Sequence, residues 1–267
     1  MPELARDGIT LHYEVDGTGP PLLLQAGMLS DSASWTPLVP RLADRFTVIR
    51  PDNRTTGRTR PIDVPNGAAE MAGDALALMD HLGHDRFHVA GHSMGGLMAM
   101  ELAHLAPGRV ATVGVLASGR VRSPRTTAVF DALLAVRRGP RGEELWLRAL
   151  FPWLFGPAFF EAAQTVEDAL AASLAYPHAQ TADAMARQIE MFRNFRPVAD
   201  PATLACPTLV IYAGQDLLIP PALARPGFRR VPDLTEVTVE AAGHSVVWDA
   251  PDAVADAMRA FLSRHPA

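Results

Sequence analysis

Short apolar runs alternate with helical patterns along most of this 267-residue chain, and no other feature narrows the fold as sharply. PLLLQA (21–26), RFTVIR (45–50), FHVA (87–90), ATVGVLA (111–117), TLVIYA (208–213) and TEVTVE (235–240) read as strands. Several are apolar throughout, the pattern of strands covered on both faces. Between them, residues 69–82 carry Met71, Leu76, Met79 and Leu82 at helical spacing, and Gly83 is placed to stop the helix. LMAMELAHLA (97–106) reads as a second helix, halted by Pro107-Gly108. Residues 251–264 form a third, beginning at Pro251. This alternation implies an α/β fold, a mostly parallel central sheet with helices on both faces. ITLHYEV (9–15) and PLLLQA flank Asp16-Gly17-Thr18-Gly19, which predicts an opening hairpin and an antiparallel edge.

The alternation breaks between residues 121 and 200, where the pattern is helical and no strand stands out. Residues 1–120 and 201–267 are therefore expected to form the core domain, with 121–200 as an inserted helical lid. The insert holds ten of the chain's 18 aromatic residues. Most of these rings are expected to build the insert's own core. An insert between parallel strands also lies over the C-terminal strand ends, where ligands bind in such folds. Some rings, Trp153 and Phe155 among them, are expected to line a pocket there.

Composition excludes several partner classes. Net charge is −5 and no lysine- or arginine-rich block occurs, which speaks against nucleic acid. The longest apolar stretches fall well short of the roughly 18–20 residues a membrane span needs. The opening MPELARDGITLHYEVDG has no basic region followed by an apolar one, so no leader and a cytoplasmic location are expected. Cys206 is the only cysteine, which rules out an internal disulfide. Before Pro207 and an apolar strand, it reads as a packing residue rather than a catalytic thiol. There is no H-E-x-x-H, no cysteine cluster, no G-x-G-x-x-G after a strand and no P-loop, so neither metal nor cofactor is expected. Asp16-Gly17-Thr18-Gly19 is too short, and too quickly followed by proline, to cradle phosphates.

Gly91-His92-Ser93-Met94-Gly95-Gly96 follows the strand FHVA and precedes a helix. That is the strand–turn–helix setting of a G-x-S-x-G nucleophile elbow. The tight reversal lifts the serine hydroxyl above the sheet, and side chains at Gly91 or Gly95 would collide with neighbouring backbone. Serine is a poor nucleophile near its free pKa and needs a base oriented by a third group. In elbow enzymes the chain order is serine, acid, histidine.

His244, in AAGHSVVWDAP after the strand TEVTVE, suits the base. Of the other histidines, only His178, within the insert, lies on a loop after Ser93. The strand TLVIYA runs into Gly214-Gln215-Asp216, which places a carboxylate at a strand end. The strand ATVGVLA instead leads into LASGR, without a carboxylate, so Asp216 is the candidate acid. Asp249 reads as an N-terminal helix residue ahead of Pro251.

With Ser93, Asp216 and His244 in this order, the chain resembles the α/β-hydrolase superfamily over nearly its whole length. PDNRTTGRT (51–59) is similar to that superfamily's D-x-R-G-x-G-x-S turn; Asp52, Arg54 and Gly57 are kept, while Thr55 and Thr59 replace the usual Gly and Ser. WLFGPAFF (153–160) and ACPTLVIYAGQDLLIPP (205–221) resemble the branch of oxoadipate enol-lactonases and aminoacrylate hydrolases. The resemblance implies an oxyanion hole made by the backbone N–H groups of Met94 and Met28. Gly27 then matches the family glycine beside substrate, and Ala26 stands where a histidine is customary.

The expected activity is cofactor-independent hydrolysis of a small ester or lactone through an acyl-enzyme. Carbon–carbon hydrolysis of a diketone, perhydrolysis and acyl transfer use the same triad and stay open. So does a non-catalytic ligand receptor on the same fold. Arg120, Arg122 and Arg125 read as a solvated basic turn, with a substrate-carboxylate site as the alternative. A small-molecule substrate is the expected partner, and association into a homo-oligomer is left open.

Overall fold

The computed structural model describes residues 2–64, 66–121 and 123–267. Its strands are β1 (Glu3–Arg6), β2 (Ile9–Asp16), β3 (Pro21–Gln25), β4 (Thr47–Pro51), β5 (Phe87–His92), β6 (Val110–Leu116), β7 (Thr208–Ala213) and β8 (Leu234–Val239). They form one sheet in the order β1-β2-β4-β3-β5-β6-β7-β8. β2 pairs antiparallel with both β1 and β4, and all pairings from β4 to β8 are parallel. The longer helices are α1 (Ala68–His81), α2 (Met94–Leu105), α3 (Pro124–Arg137), α4 (Gly142–Leu154), α5 (Ala163–Ala175), α6 (Ala182–Asn194) and α7 (Pro251–Leu262).

Alternation along each strand feeds two cores. Leu23 and Val210 join a cluster with Met79 of α1 and Met98 and Leu102 of α2. Their neighbours Leu22, Leu24, Leu209 and Ile211 pack on the opposite face with Trp35, Leu38, Met258 and Phe261. Both sides of the sheet are thus buried, which is why its strands read as unbroken apolar runs.

The antiparallel edge has a different origin from the hairpin expected at Asp16–Gly19. β4 lies between β2 and β3, so those two strands do not pair. Gly17 and Gly19 have φ of 79° and 124°. A Cβ on Gly17 would lie 2.2 Å from the Ala43 carbonyl oxygen, and one on Gly19 would lie 2.3 Å from that of Arg45. These glycines let the loop pass hard against the segment leading into β4, making it a crossing connection. The hairpin joins β1 to β2 through Asp7 and Gly8, both at positive φ. β1 has no apolar run to betray it, because neither face of that edge strand is fully buried.

Helices α3 to α6 are inserted between β6 and β7. Phe130, Trp146, Leu150, Met185 and Ile189 form their core. Met28 and Leu29, just after β3, and Leu218 and Ile219, after β7, pack into that same cluster. The insert therefore sits over the C-terminal ends of the parallel strands. No described helix is long and apolar enough to cross a membrane. Cys206 is buried, and desolvation pushes its thiol up to about 11.

Candidate active site

β5 hands over to α2 within one residue. Ser93 has φ 55° and ψ −119°, a conformation few L-residues adopt, and Met94 is already helical. Its N–H donates to the Leu116 carbonyl at 2.9 Å, and its own carbonyl accepts from the Ser118 hydroxyl at 2.5 Å. Glycine is required on both sides. A Cβ on Gly91 would meet the Gly95 oxygen at 2.0 Å, and one on Gly95 would meet the Gln25 oxygen at 2.0 Å.

The side chains singled out in the sequence come together above this turn. Ser93 Oγ lies 2.8 Å from His244 Nε2, and His244 Nδ1 lies 2.8 Å from Asp216 Oδ2. With Nδ1–H donating to the carboxylate, Nε2 is left to accept the serine proton. Asp216 and His244 are both buried. Asp216 Oδ1 accepts from the N–H groups of Leu218 and Ile219, each at 2.8 Å. Burial pushes the Asp216 carboxyl up, but His244 and those two amides outweigh it and hold the group below the usual carboxylate range.

Gly27 is seated against the elbow, where a Cβ would lie 3.2 Å from His92 Nδ1 and 3.3 Å from Ser93 Cβ. Met28 follows it, and Met94 opens α2. Neither N–H donates to another described group. The Met94 N–H is one of the free donors at a helix start, where the dipole favours negative charge.

The two expected lid contacts separate. Trp153 stacks under Arg125, whose guanidinium carbon lies 5.2 Å from the ring centroid. It lines a groove of about 380 Å³ between α3 and α4, walled by Val129, Ala132 and Leu133 and by no triad residue. The Phe155 ring stacks on Phe159 at 4.0 Å. Its backbone, however, abuts the histidine loop: a Cβ on Gly243 would meet the Phe155 carbonyl carbon at 2.5 Å. Arg120 reaches the Pro197 carbonyl at 3.3 Å, and Arg122 lies outside the described residues.

Further residues take roles at the site that the sequence does not indicate. His92 Nε2 donates to the backbone oxygen of His244 at 2.7 Å. Burial, with His244 alongside, pushes the His92 imidazole down to about 4, so it is neutral near pH 7. Asp249 lies at the end of a short helical turn. Its Oδ2 accepts from Gly243 N–H at 2.7 Å and from Gly156 N–H at 2.8 Å, tying the histidine loop to the end of α4. Ser245 N–H adds a bond to the Leu154 carbonyl at 2.7 Å.

The 51–59 turn braces the site from beneath. Asp52 accepts from Ser32 N–H at 2.9 Å and Arg58 N–H at 2.7 Å, and Arg54 forms a two-point pair with Asp74. Asn53 Nδ2 donates to the Ala26 carbonyl at 3.1 Å. Thr55 has φ 70°, which explains why the family pattern has glycine there.

A model of the alpha/beta hydrolase family matches residues 19–257. The chain belongs to that family. A protein of Azorhizobium caulinodans assigned as the carbamate hydrolase RutD is 32% identical to this hydrolase over 98% of each chain. Among solved structures, the enol-lactonase of Burkholderia xenovorans superimposes with a TM-score of 0.85 at 26% identity, covering 98% of this chain and 100% of that one. A thermophilic esterase from Thermogutta terrifontis gives 0.83 at 28% identity, covering 98% and 96%. The overall fold of the hydrolase is thus shared with an enol-lactonase and an esterase.

Proposed function

We propose that this hydrolase cleaves a small carboxylic ester or lactone through a covalent acyl-enzyme. The observation that carries the reading is the relay of two 2.8 Å contacts, Ser93 Oγ to His244 Nε2 and His244 Nδ1 to Asp216. Ser93 Oγ attacks the acyl carbon while His244 Nε2 takes its proton. Asp216 keeps the imidazole in the working tautomer and stabilises the imidazolium that forms. Negative charge on the former carbonyl oxygen is met by the N–H groups of Met28 and Met94. His244 then protonates the departing alkoxide, deprotonates a water for the second attack, and returns the proton to Ser93 as the acid leaves.

Helices α3 to α6 act as the lid over this chemistry, with Gly27 beside the acyl carbon and Phe155 at the rim of the histidine loop. On this reading the activity is cytoplasmic, in keeping with the single, buried cysteine. A carbamate runs through the same steps, with a carbamoyl group on Ser93; the likeness to the RutD chain favours including it among substrates.

Turnover of short-chain esters, lactones, carbamates and diketones, each beside Ser93→Ala, tests the reading. Ester or lactone cleavage that vanishes in the variant is expected, together with labelling of Ser93 by a fluorophosphonate. A folded wild-type protein that neither turns over nor labels would overturn it.

A further inference from the structure

Two lid glutamines each end on a strained residue of the core. Gln180 Nε2 donates to the carbonyl of Thr55 at 3.0 Å, and Gln188 Oε1 accepts from the N–H of Leu29 at 2.8 Å. Thr55 and Leu29 are non-glycine residues at φ 70° and 67°. Such backbone is costly and persists where surrounding contacts hold it.

The Leu29 contact bears on the candidate oxyanion hole. Leu29 N–H belongs to the peptide unit immediately after Met28, whose own N–H belongs to the unit before. Upstream, Asn53 Nδ2 holds the Ala26 carbonyl at 3.1 Å. Downstream, Gln188 holds Leu29 N–H. The Gly27–Met28 peptide, which carries the donor, is thus suspended between two fastened neighbours. Just upstream, the Gln25 Oε1 atom is buried without a partner among the described residues and so accepts nothing from this segment.

Gln188 is built for a single contact. It lies on the inward stripe of α6 with Met185 and Ile189, and it is fully buried. Leu29 N–H demands an acceptor, which fixes the orientation of the carboxamide. Gln188 Nε2 is then left without a partner, a cost no packing residue would carry.

Building on the acyl-enzyme reading above, we infer that Gln188 is a positioning residue that sets the Met28 N–H in the oxyanion hole, so that seating α6 on the core and completing the hole are one event. The lid thereby contributes to transition-state stabilisation without touching substrate.

Gln188→Met keeps the shape of the side chain and removes the acceptor. Three quantities decide the matter: turnover of an ester, affinity for a boronic acid that forms a tetrahedral adduct on Ser93, and affinity for the alcohol product. The expected result is a loss of about 10–100-fold in both kcat and boronate affinity. Affinity for the alcohol stays within about twofold, because it places no oxygen in the hole, and KM changes less than kcat does. Melting temperature stays near wild type, since the variant orphans Leu29 N–H but also removes the buried, partnerless Nε2. Gln188→Glu, which retains an acceptor oxygen, recovers most of both losses.

Unchanged kcat in Gln188→Met overturns the inference. So does an equal loss of boronate and alcohol affinity, or a Glu variant as impaired as the Met variant. Should Gln188→Met not fold, Gln188→Ser takes its place in the same three measurements. Ser93→Ala separates the two levels. If it still turns over ester, the acyl-enzyme reading falls; if it is inert while Gln188→Met is normal, only the role of Gln188 falls.

Discussion

Gly95, in the first turn of α2, lies so close to Gln25 at the end of β3 that a Cβ on it would sit 2.0 Å from the Gln25 oxygen and 2.8 Å from that of Ala26. Both neighbours are backbone, so no rotamer change can relieve the clash. Gly95→Ala is therefore expected to cost several kcal/mol, on the order of 4 or more, and to abolish soluble folded protein. Gly27→Ala meets only contacts of 3.2–3.3 Å with His92 and Ser93. It is expected to fold, with a modest drop in melting temperature, while ester turnover falls. Circular dichroism melts beside activity assays distinguish the two; equal tolerance of both substitutions would contradict this packing.

Ser93→Ala is expected to lower kcat by about 10⁶ and Asp216→Asn by about 10⁴. The second figure follows from the tautomer: the carboxamide put in place of the carboxylate presents an N–H donor that favours the wrong imidazole nitrogen. Asp216 itself is held below the usual carboxylate range, so it stays ionised through mildly acidic pH. No part of the acid limb of kcat/KM in the wild type should therefore come from Asp216. Stopped assays from pH 4.5 to 8 would expose a limb set by that carboxylate.

Asp249 is expected to behave differently as Asn and as Ala. Burial holds its carboxyl above the ordinary range, against the pull of the Gly243 and Gly156 amides. A carboxyl raised in the folded state contributes its stability below the unfolded value and loses it as pH rises through the folded one. Neutral asparagine keeps an acceptor and escapes that loss, so Asp249→Asn should melt at or above wild type at pH 7.5, with the gap narrowing at pH 4. Asp249→Ala orphans two buried N–H groups and should cost about 2 kcal/mol or more. Thermal melts at the two pH values check both signs.

His88 and His92 are pushed down to about 4, in each case chiefly by burial. The unfolded chain binds these protons near 6.5. The stability they confer is thus present above that value and lost as pH falls from 6.5 through 4. Each shift corresponds to roughly 3 kcal/mol at full extent. His88 lies in β5 against Thr112 Oγ1 at 2.9 Å, away from the triad. His88→Asn should flatten the decline in melting temperature between pH 6.5 and 4.5. A decline as steep as that of wild type would remove His88 from this account.

The central sheet was legible because burial on both faces writes itself as continuous apolar runs, as in TLVIYA. The elbow was legible because backbone crowding forces glycine at 91 and 95, a local requirement visible in a local string. β1 was not, since a half-exposed edge strand needs no apolar residues. Asp16–Gly19 misled for a related reason: positive-φ glycines serve a tight crossing as well as a hairpin. Gln188 left no trace, and Asp249 read as a helix-start residue, because the Leu29 and Gly156 amides they meet lie 159 and 93 residues away and nothing in the flanking residues encodes such meetings. Thr55 was noticed only as a departure from pattern; its positive φ and its glutamine support needed coordinates.

The helical insert leaves the core after β6 and returns before β7, yet polar contacts from it land on Leu29, Thr55 and Leu218, 159, 125 and 92 residues away from their partners. Contacts closing loops of that length form late, after local helices and neighbouring strands have condensed. During refolding, helical signal and core burial should therefore return first, and ester turnover last. On the reading proposed above, catalytic competence is a record of the final docking step, so a chain that has regained every strand is expected still to be idle.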